Sequence, residues 1–101
     1  MTERNTLRVW KGHQSWNYRA IWTVRGKKVR VTIKVDSYDF QSYGRAEILS
    51  ETKDKWNVIS SIPGEQLATY QKIGAYDRDI TAEAFKEDEQ RLIAEIELIL
   101  S

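Results

Sequence analysis

The stretch that decides the fold is Tyr18–Asp36, YRAIWTVRGKKVRVTIKVD. Apolar and polar residues alternate on both sides of its glycine, a pattern typical of strands with one buried face. The pair Gly26-Lys27 predicts a type II′ turn, because glycine adopts the positive φ that the first turn position requires. The stretch therefore predicts an antiparallel hairpin formed by residues 18–25 and 28–36.

A two-residue turn at Gly26-Lys27 also fixes the expected register of the hairpin. On one face every predicted pair is apolar or amphipathic: Val24 with Val29, Trp22 with Val31, Ala20 with Ile33 and Tyr18 with Val35. On the other face Arg19 is expected opposite Lys34, and like charges in that position repel unless an anion or an acid lies over them. We therefore expect the valine row to face the core and Arg30 and Lys34 to face outward, with Glu47 and Glu51 brought to the basic face by a later strand.

Three further segments alternate in the same way and predict strands on either side of the hairpin: Leu7–Trp10, 45–51 and 55–62. Pro63-Gly64 ends the last of them, since proline donates no ladder hydrogen bond, and residues 65–72 are expected to form a short helix. The predicted fold class is α+β: a four- or five-stranded antiparallel meander packed by a C-terminal amphipathic helix, with a short preceding helix.

The C-terminal helix is expected over Ala82–Leu100, after a loop at 75–80 and with Thr81 as its N-cap. Its apolar stripe consists of Phe85, Leu92, Ile96 and Ile99, flanked by Ile93 and Leu100. Glu89 falls inside this stripe and needs a cation or an exposed position, because an unpaired buried carboxylate is costly. Leu98 falls on the polar side beside Ala94.

Length and composition limit the classes of protein to which this chain can belong. A chain of 101 residues has room for one domain, 1–101, and its apolar share of 41% is that of a globular protein. No cysteine is present, which excludes disulfides and thiolate metal sites. The polar N-terminal residues and the absence of a long apolar run favour a cytoplasmic setting without membrane contact.

The sequence carries no pattern typical of a catalytic site. It has no P-loop, no dinucleotide-binding glycine motif, no zinc-hydrolase motif and no nucleophile elbow. The single histidine, His13, lies in a polar stretch typical of a turn, without an acid or a cysteine beside it. We therefore expect no enzymatic activity, no catalytic residue, no cofactor and no metal.

The charges are divided unevenly along the chain. Residues 1–35 contain nine Lys/Arg and one acid, whereas the rest of the chain contains seven Lys/Arg and fourteen acids. Either the two halves neutralise each other, which is the more frequent outcome in a small domain, or the first half binds a polyanion. Single-stranded nucleic acid is the candidate ligand because aromatic and basic residues interleave there, and the candidate residues are Trp10, Lys11, Trp16, Arg19, Arg25, Lys28, Arg30 and Lys34.

A protein partner, or a second copy of this chain, is the other candidate ligand. The connection 36–44 carries Tyr38, Phe40 and Tyr43, and aromatic side chains on loops are frequent interface anchors, although the same loop could instead fold back and cap the core. With the stray apolar Leu98 they form the candidate protein interface. The first-ranked prediction is a small non-enzymatic binding module acting through protein contact or self-association, as an accessory or inhibitor-like protein; the alternative is single-stranded nucleic-acid binding.

The order of elements, strands followed by a helix, resembles that of the Whirly and Pur-type single-strand binding proteins. No family motif accompanies the resemblance, and many unrelated folds share this outline, so it implies no kinship.

Overall fold

The computed structural model describes residues 2–12, 15–36, 41–69 and 81–101. The strands, which form one antiparallel sheet in the order β1-β2-β3-β4-β5, are β1 Thr2–Lys11, β2 Ser15–Val24, β3 Lys27–Asp36, β4 Tyr43–Leu49 and β5 Trp56–Pro63. Short 3-10 helices at Gly64–Gln66 and Ala82–Phe85 precede the C-terminal helix α1, Lys86–Leu100. The predicted α+β meander with its C-terminal helix is confirmed, and all five strands are present.

The helical boundaries differ from those that the sequence predicted. Where a short helix was expected at 65–72, the 3-10 helix Gly64–Gln66 is followed by the extended Leu67 and by helical Ala68 and Thr69, and residues 70–80 lie outside the described part of the chain. The C-terminal helix becomes α-helical only at Lys86, because its first turn is the 3-10 helix Ala82–Phe85. Thr81 is the N-cap residue of that turn, as predicted, but its side chain makes no capping hydrogen bond.

The central hairpin turns one residue earlier than predicted. Its turn residues are Arg25 and Gly26, with φ of 49° and 79°, which is the backbone of a type I′ turn rather than a type II′ turn at Gly26-Lys27. The presence of a glycine between the two alternating segments predicted the hairpin, but it did not show which of the two turn positions the glycine occupies. Consequently Val24 pairs with Lys27, and Trp22 pairs with Val29.

This error shifts the register by two residues, so that the side chains of residues 18–24 and 28–36 keep their predicted faces while Arg25 moves into the turn. The inward row of Val29, Val31, Ile33 and Val35 is 0–1% exposed. The predicted repulsive pair, by contrast, does not exist, since Arg19 lies opposite Thr32 and Lys34 lies opposite Asn17. The alternation of apolar and polar residues thus predicted correctly which face of the sheet each side chain occupies. The exact cross-strand pairs depended on the position of the turn.

Arg25 occupies a left-handed backbone conformation, φ 49°, which costs a non-glycine residue about 1 kcal/mol. Asparagine tolerates this conformation better and is favoured before glycine in type I′ turns. We therefore expect Arg25→Asn to raise the free energy of unfolding by roughly 0.5–1 kcal/mol in urea titrations. Arg25→Ala is the control, since it removes the same side chain without easing the backbone, and an equal gain in both variants would contradict this explanation.

Two β-bulges change which residues share a face. In β5 the ladder shifts between Ala46 and Glu47, so that Ser60 pairs with Ala46 but Val58 pairs with Glu47. Strict alternation over the predicted strand 55–62 would place Trp56 and Val58 on the face of Ser60 and Ile62, whereas the bulge places them on the opposite face, and Val58 is 52% exposed. A second bulge in β1, between Arg4 and Thr6, turns Arg4 towards the helix side of the sheet.

The core lies between the sheet and α1, which packs across β3, β4 and β5. Phe85, Leu92, Ile93 and Ile96 are buried as expected, whereas Ile99 is 48% exposed because it lies at the margin of the apolar stripe. Gly44 permits this close packing, since a Cβ there would lie 3.1 Å from the Leu67 side chain. None of the helices in the described ranges has the length and apolar character needed to cross a membrane.

Candidate functional site

The sheet face opposite α1, here called the open face, has no described helix packed on it. The open face consists of the residues of β2 and β3 whose side chains point away from the buried valine row. It also includes the residues of β1, β4 and β5 that pair with them. Its charged and aromatic members in the described chain are Glu3, Arg8, Trp10, Arg19, Lys28, Arg30, Lys34, Asp36, Tyr43, Arg45, Glu47 and Trp56. Six cations and three carboxylates, one of them the buried Asp36, therefore share one surface.

Acids of the described residues neutralise only part of the positive charge of residues 1–35. Of the nine cations in residues 1–35, three form ion pairs with acids of the described residues: Arg4 with Glu89, Lys27 with Glu51 and Arg30 with Glu47. The Lys27 ammonium donates to Glu51, and this hydrogen bond lowers the pKa of that exposed carboxyl. Within the described part of the chain, ion pairs between the two halves thus involve a minority of these basic residues.

Each aromatic ring of the open face lies against an arginine. The guanidinium carbon of Arg8 is 4.7 Å from the centroid of the Trp10 ring, that of Arg45 is 3.9 Å from Tyr43, and that of Arg30 is 4.5 Å from Trp56. Such cation–π pairs hold the ring and the guanidinium side by side. The open face thus combines flat rings with adjacent positive charge.

One cross-strand row of the open face is especially basic. It runs from Arg8 on β1 through Arg19, Thr32 and Arg45 to Ser61 on β5, without a carboxylate. Arg8 and Arg19 are direct neighbours, and like charges in that position are unfavourable without an anion over them. The row therefore has the charge and the geometry to bind an extended anion that crosses the strands.

No match was found. The chain matches no family model, no curated protein and no solved structure in these comparisons. The function of this chain is therefore inferred from its own residues.

The structure places the predicted nucleic-acid residues on two faces and one turn. Five of the eight lie together on the open face, namely Trp10, Arg19, Lys28, Arg30 and Lys34. Trp16 and Lys11 pair with each other on the helix side, where the Lys11 ammonium is 5.4 Å from the Trp16 ring. Arg25 lies in the hairpin turn, away from both faces.

Of the predicted protein-interface residues, Tyr43 and Leu98 lie in the described part of the chain, on different surfaces. Tyr38 and Phe40 lie outside the described residues, as does His13. Tyr43, expected in a loop, is the first residue of β4 and contributes its ring to the open face. Leu98 is 71% exposed on the outer side of α1, as its position in the helix predicted.

Sequence reasoning missed three residues of the open face: Arg8, Arg45 and Trp56. For Arg45 the signal was present, because Arg45 begins the predicted strand 45–51 and alternates with Glu47, which was expected on the basic face. Arg8 follows in the same way once β1 is paired with β2. Trp56 carries no such signal, since only the β5 bulge brings it to this face.

A buried polar cluster on the helix side holds β1 in place. Glu89 is 0% exposed and accepts hydrogen bonds from Arg4 Nη1 at 2.9 Å, from Trp22 Nε1 at 3.0 Å and from the Tyr18 hydroxyl. Burial, followed by the Glu89 carboxylate, raises the pKa of Tyr18, so the phenol stays protonated and donates. Because Arg4 belongs to β1, this cluster also fixes the strand that carries Arg8 and Trp10.

A second buried carboxylate, Asp88, anchors the chain before the helix. It accepts from the backbone N–H groups of Ala68 and Thr69 at 3.0 and 2.7 Å, and from Arg91 at 3.1 Å. Both buried carboxylates of α1 are thus occupied by donors of the chain itself. Within the described ranges, no three His, Cys, Asp or Glu residues come together as a group that could hold a metal ion.

Proposed function

We propose that this protein is a non-enzymatic binding module whose open face binds single-stranded nucleic acid. The observation that supports the proposal is the one-sided arrangement of the sheet: six cations and three arginine-backed aromatic rings on one face, with the acid-rich helix α1 on the other. An anionic strand is attracted to the first surface and repelled by the second.

Basic and aromatic side chains contribute to binding in different ways. Cations without an ion pair among the described residues, such as Arg19 and Lys34, neutralise phosphates and release counterions. Trp10, Tyr43 and Trp56 stack on bases, which contributes ~1–3 kcal/mol for each base. A duplex hides its base faces within the helix, so the rings favour a single strand over a duplex.

Titration of fluorescently labelled oligonucleotides over a salt series tests this function. We expect a single strand to bind more tightly than the matching duplex, and log K to fall linearly with log[salt] with a slope of about −0.7 for each phosphate contacted. The absence of binding at low salt, or equal affinity for single strand and duplex, would contradict the proposal.

A second candidate function, self-association or binding of a protein partner, is favoured by the outer surface of α1. Leu98 is 71% exposed and Ile99 is 48% exposed, and Ala94 is exposed one turn before Leu98. Apolar side chains grouped on a helix surface are typical of contact sites. An accessory or inhibitor-like role would use this surface, and it is independent of the open face.

For this second function we expect Leu98→Glu to convert any dimer to a monomer in size-exclusion chromatography with light scattering. The substitution should change the free energy of unfolding by less than about 0.5 kcal/mol, because the side chain is exposed. Lys86→Glu on the same helix is the control. A native chain that is monomeric at high concentration would contradict self-association.

In this proposal binding needs neither a cofactor nor a metal, and the protein acts in the cytoplasm. Both statements remain predictions from the sequence.

A further inference from the structure

The centre of the open face contains a buried hydroxyl group without a partner. Thr32 lies in the middle of β3, the central strand, and is 6% exposed. Its Oγ1 is the one buried side-chain oxygen or nitrogen among the described residues that makes no hydrogen bond. Buried polar groups are nearly always paired, so an unpaired hydroxyl at this place points to a missing partner.

The four nearest neighbours of Thr32 on the open face are all cations, and the carboxylate of its diagonal neighbour Glu47 is paired with Arg30. Its cross-strand neighbours are Arg19 on β2 and Arg45 on β4, and its neighbours on the same face of β3 are Arg30 and Lys34. No described carboxylate occupies any of these four positions. The missing partner of the hydroxyl is therefore expected to be an acceptor that carries negative charge.

These four cations differ in whether they already interact with another described side chain. Arg30 donates to both carboxylate oxygens of Glu47 at 3.0 Å, and Arg45 lies over Tyr43. Arg19 and Lys34 form no ion pair with a described residue, and Arg19 is exposed. Because the Arg19 side chain is long and unpaired, it can move to admit an anion and then close over it.

We propose that Thr32, Arg19, Arg45 and Lys34 form a subsite for one phosphate group of the bound strand. This inference rests on the proposed function and adds to it the position of a phosphate. The Thr32 hydroxyl donates to a phosphate oxygen, and the surrounding cations neutralise its charge. Guanidinium groups suit this role because they donate two parallel hydrogen bonds to oxyanions.

The subsite also determines the direction in which the bound nucleic-acid strand runs over the sheet. The neighbouring row of the open face contains Trp10, Lys34 and Tyr43, and it lies about 7 Å away along the strands, two residues at ~3.4 Å each. A phosphate bound at Thr32 therefore has rings within reach of the adjacent bases. The bound nucleic-acid strand accordingly crosses the β-strands along the row from Arg8 to Arg45.

The test compares Thr32→Val, which removes only the hydroxyl, with Thr32→Ser, which retains it. The first probe is a labelled single-stranded thymidine oligonucleotide, and the second is inorganic phosphate followed through the amide resonance of residue 32. We expect Thr32→Val to weaken oligonucleotide binding about tenfold, ~1.4 kcal/mol. The salt slope should stay unchanged because no charge is lost.

Thr32→Ser is expected to retain near-native affinity, and Thr6→Val, on the edge strand of the same face, is the matched control. Inorganic phosphate should shift the residue 32 resonance in the native chain and not in Thr32→Val. Unchanged oligonucleotide binding in Thr32→Val would overturn the subsite while leaving the proposed function intact. Phosphate binding that depends on Thr32, without any oligonucleotide binding, would support the subsite as an oxyanion site and overturn the nucleic-acid function.

Discussion

Reversing the charge of Arg19 and Arg45 together, as Arg19→Glu/Arg45→Glu, is expected to weaken single-strand binding by at least about 100-fold at moderate salt. Both side chains lie in the carboxylate-free row of the open face, on either side of Thr32. The variant replaces two attractive phosphate contacts by two repulsive ones. Each lost contact should also reduce the steepness of the salt dependence by about 0.7, which a salt series measures directly.

The matched control is Lys53→Glu/Lys86→Glu, which makes the same change in net charge at exposed positions off the open face. Its affinity should stay within about threefold of native, because charges beyond ~10 Å are screened at moderate salt. If both double variants lose affinity equally, net charge rather than the open face would determine binding.

Truncating Glu89 to alanine is expected to cost about 3–5 kcal/mol of unfolding free energy, the range for breaking a buried charged network. The change removes the shared acceptor of Arg4, Tyr18 and Trp22, and it leaves two buried donors without a partner. Urea unfolding followed by tryptophan fluorescence measures the loss.

Glu87→Ala is the control for this prediction, since Glu87 is an exposed acid on the same helix and its loss should cost less than about 0.5 kcal/mol. Glu89→Gln retains an oxygen acceptor and should fall between the two. A loss in Glu89→Ala no larger than in Glu87→Ala would show that the cluster contributes little to the stability of the fold.

Much of the architecture follows from the hairpin sequence. Strict alternation around Gly26 determined which side chains of β2 and β3 are buried, and an error of one residue in the turn left those faces unchanged. The pairs themselves could not be predicted, because glycine is compatible with two turn positions. The supposed repulsion between Arg19 and Lys34 disappeared when the register shifted.

The composition of the open face was less accessible to sequence reasoning. A bulge arises where the sheet must bend, and it leaves no mark in the local pattern of Trp56 and Val58. The need of Glu89 for a cation was evident from its place in the apolar stripe. That the cation is Arg4, 85 residues away, depends on the β1 bulge and on tertiary packing.

The most direct test of the binding face uses the four tryptophan indole N–H resonances in a titration with a single-stranded oligonucleotide. Trp10 and Trp56 lie on the open face, whereas Trp16 and Trp22 lie on the helix side, where Trp22 Nε1 is bonded to Glu89. We predict that the indole resonances of Trp10 and Trp56 shift on binding and that those of Trp16 and Trp22 stay in place. Shifts confined to Trp16 and Trp22, or no shift at all, would contradict the assignment of binding to the open face.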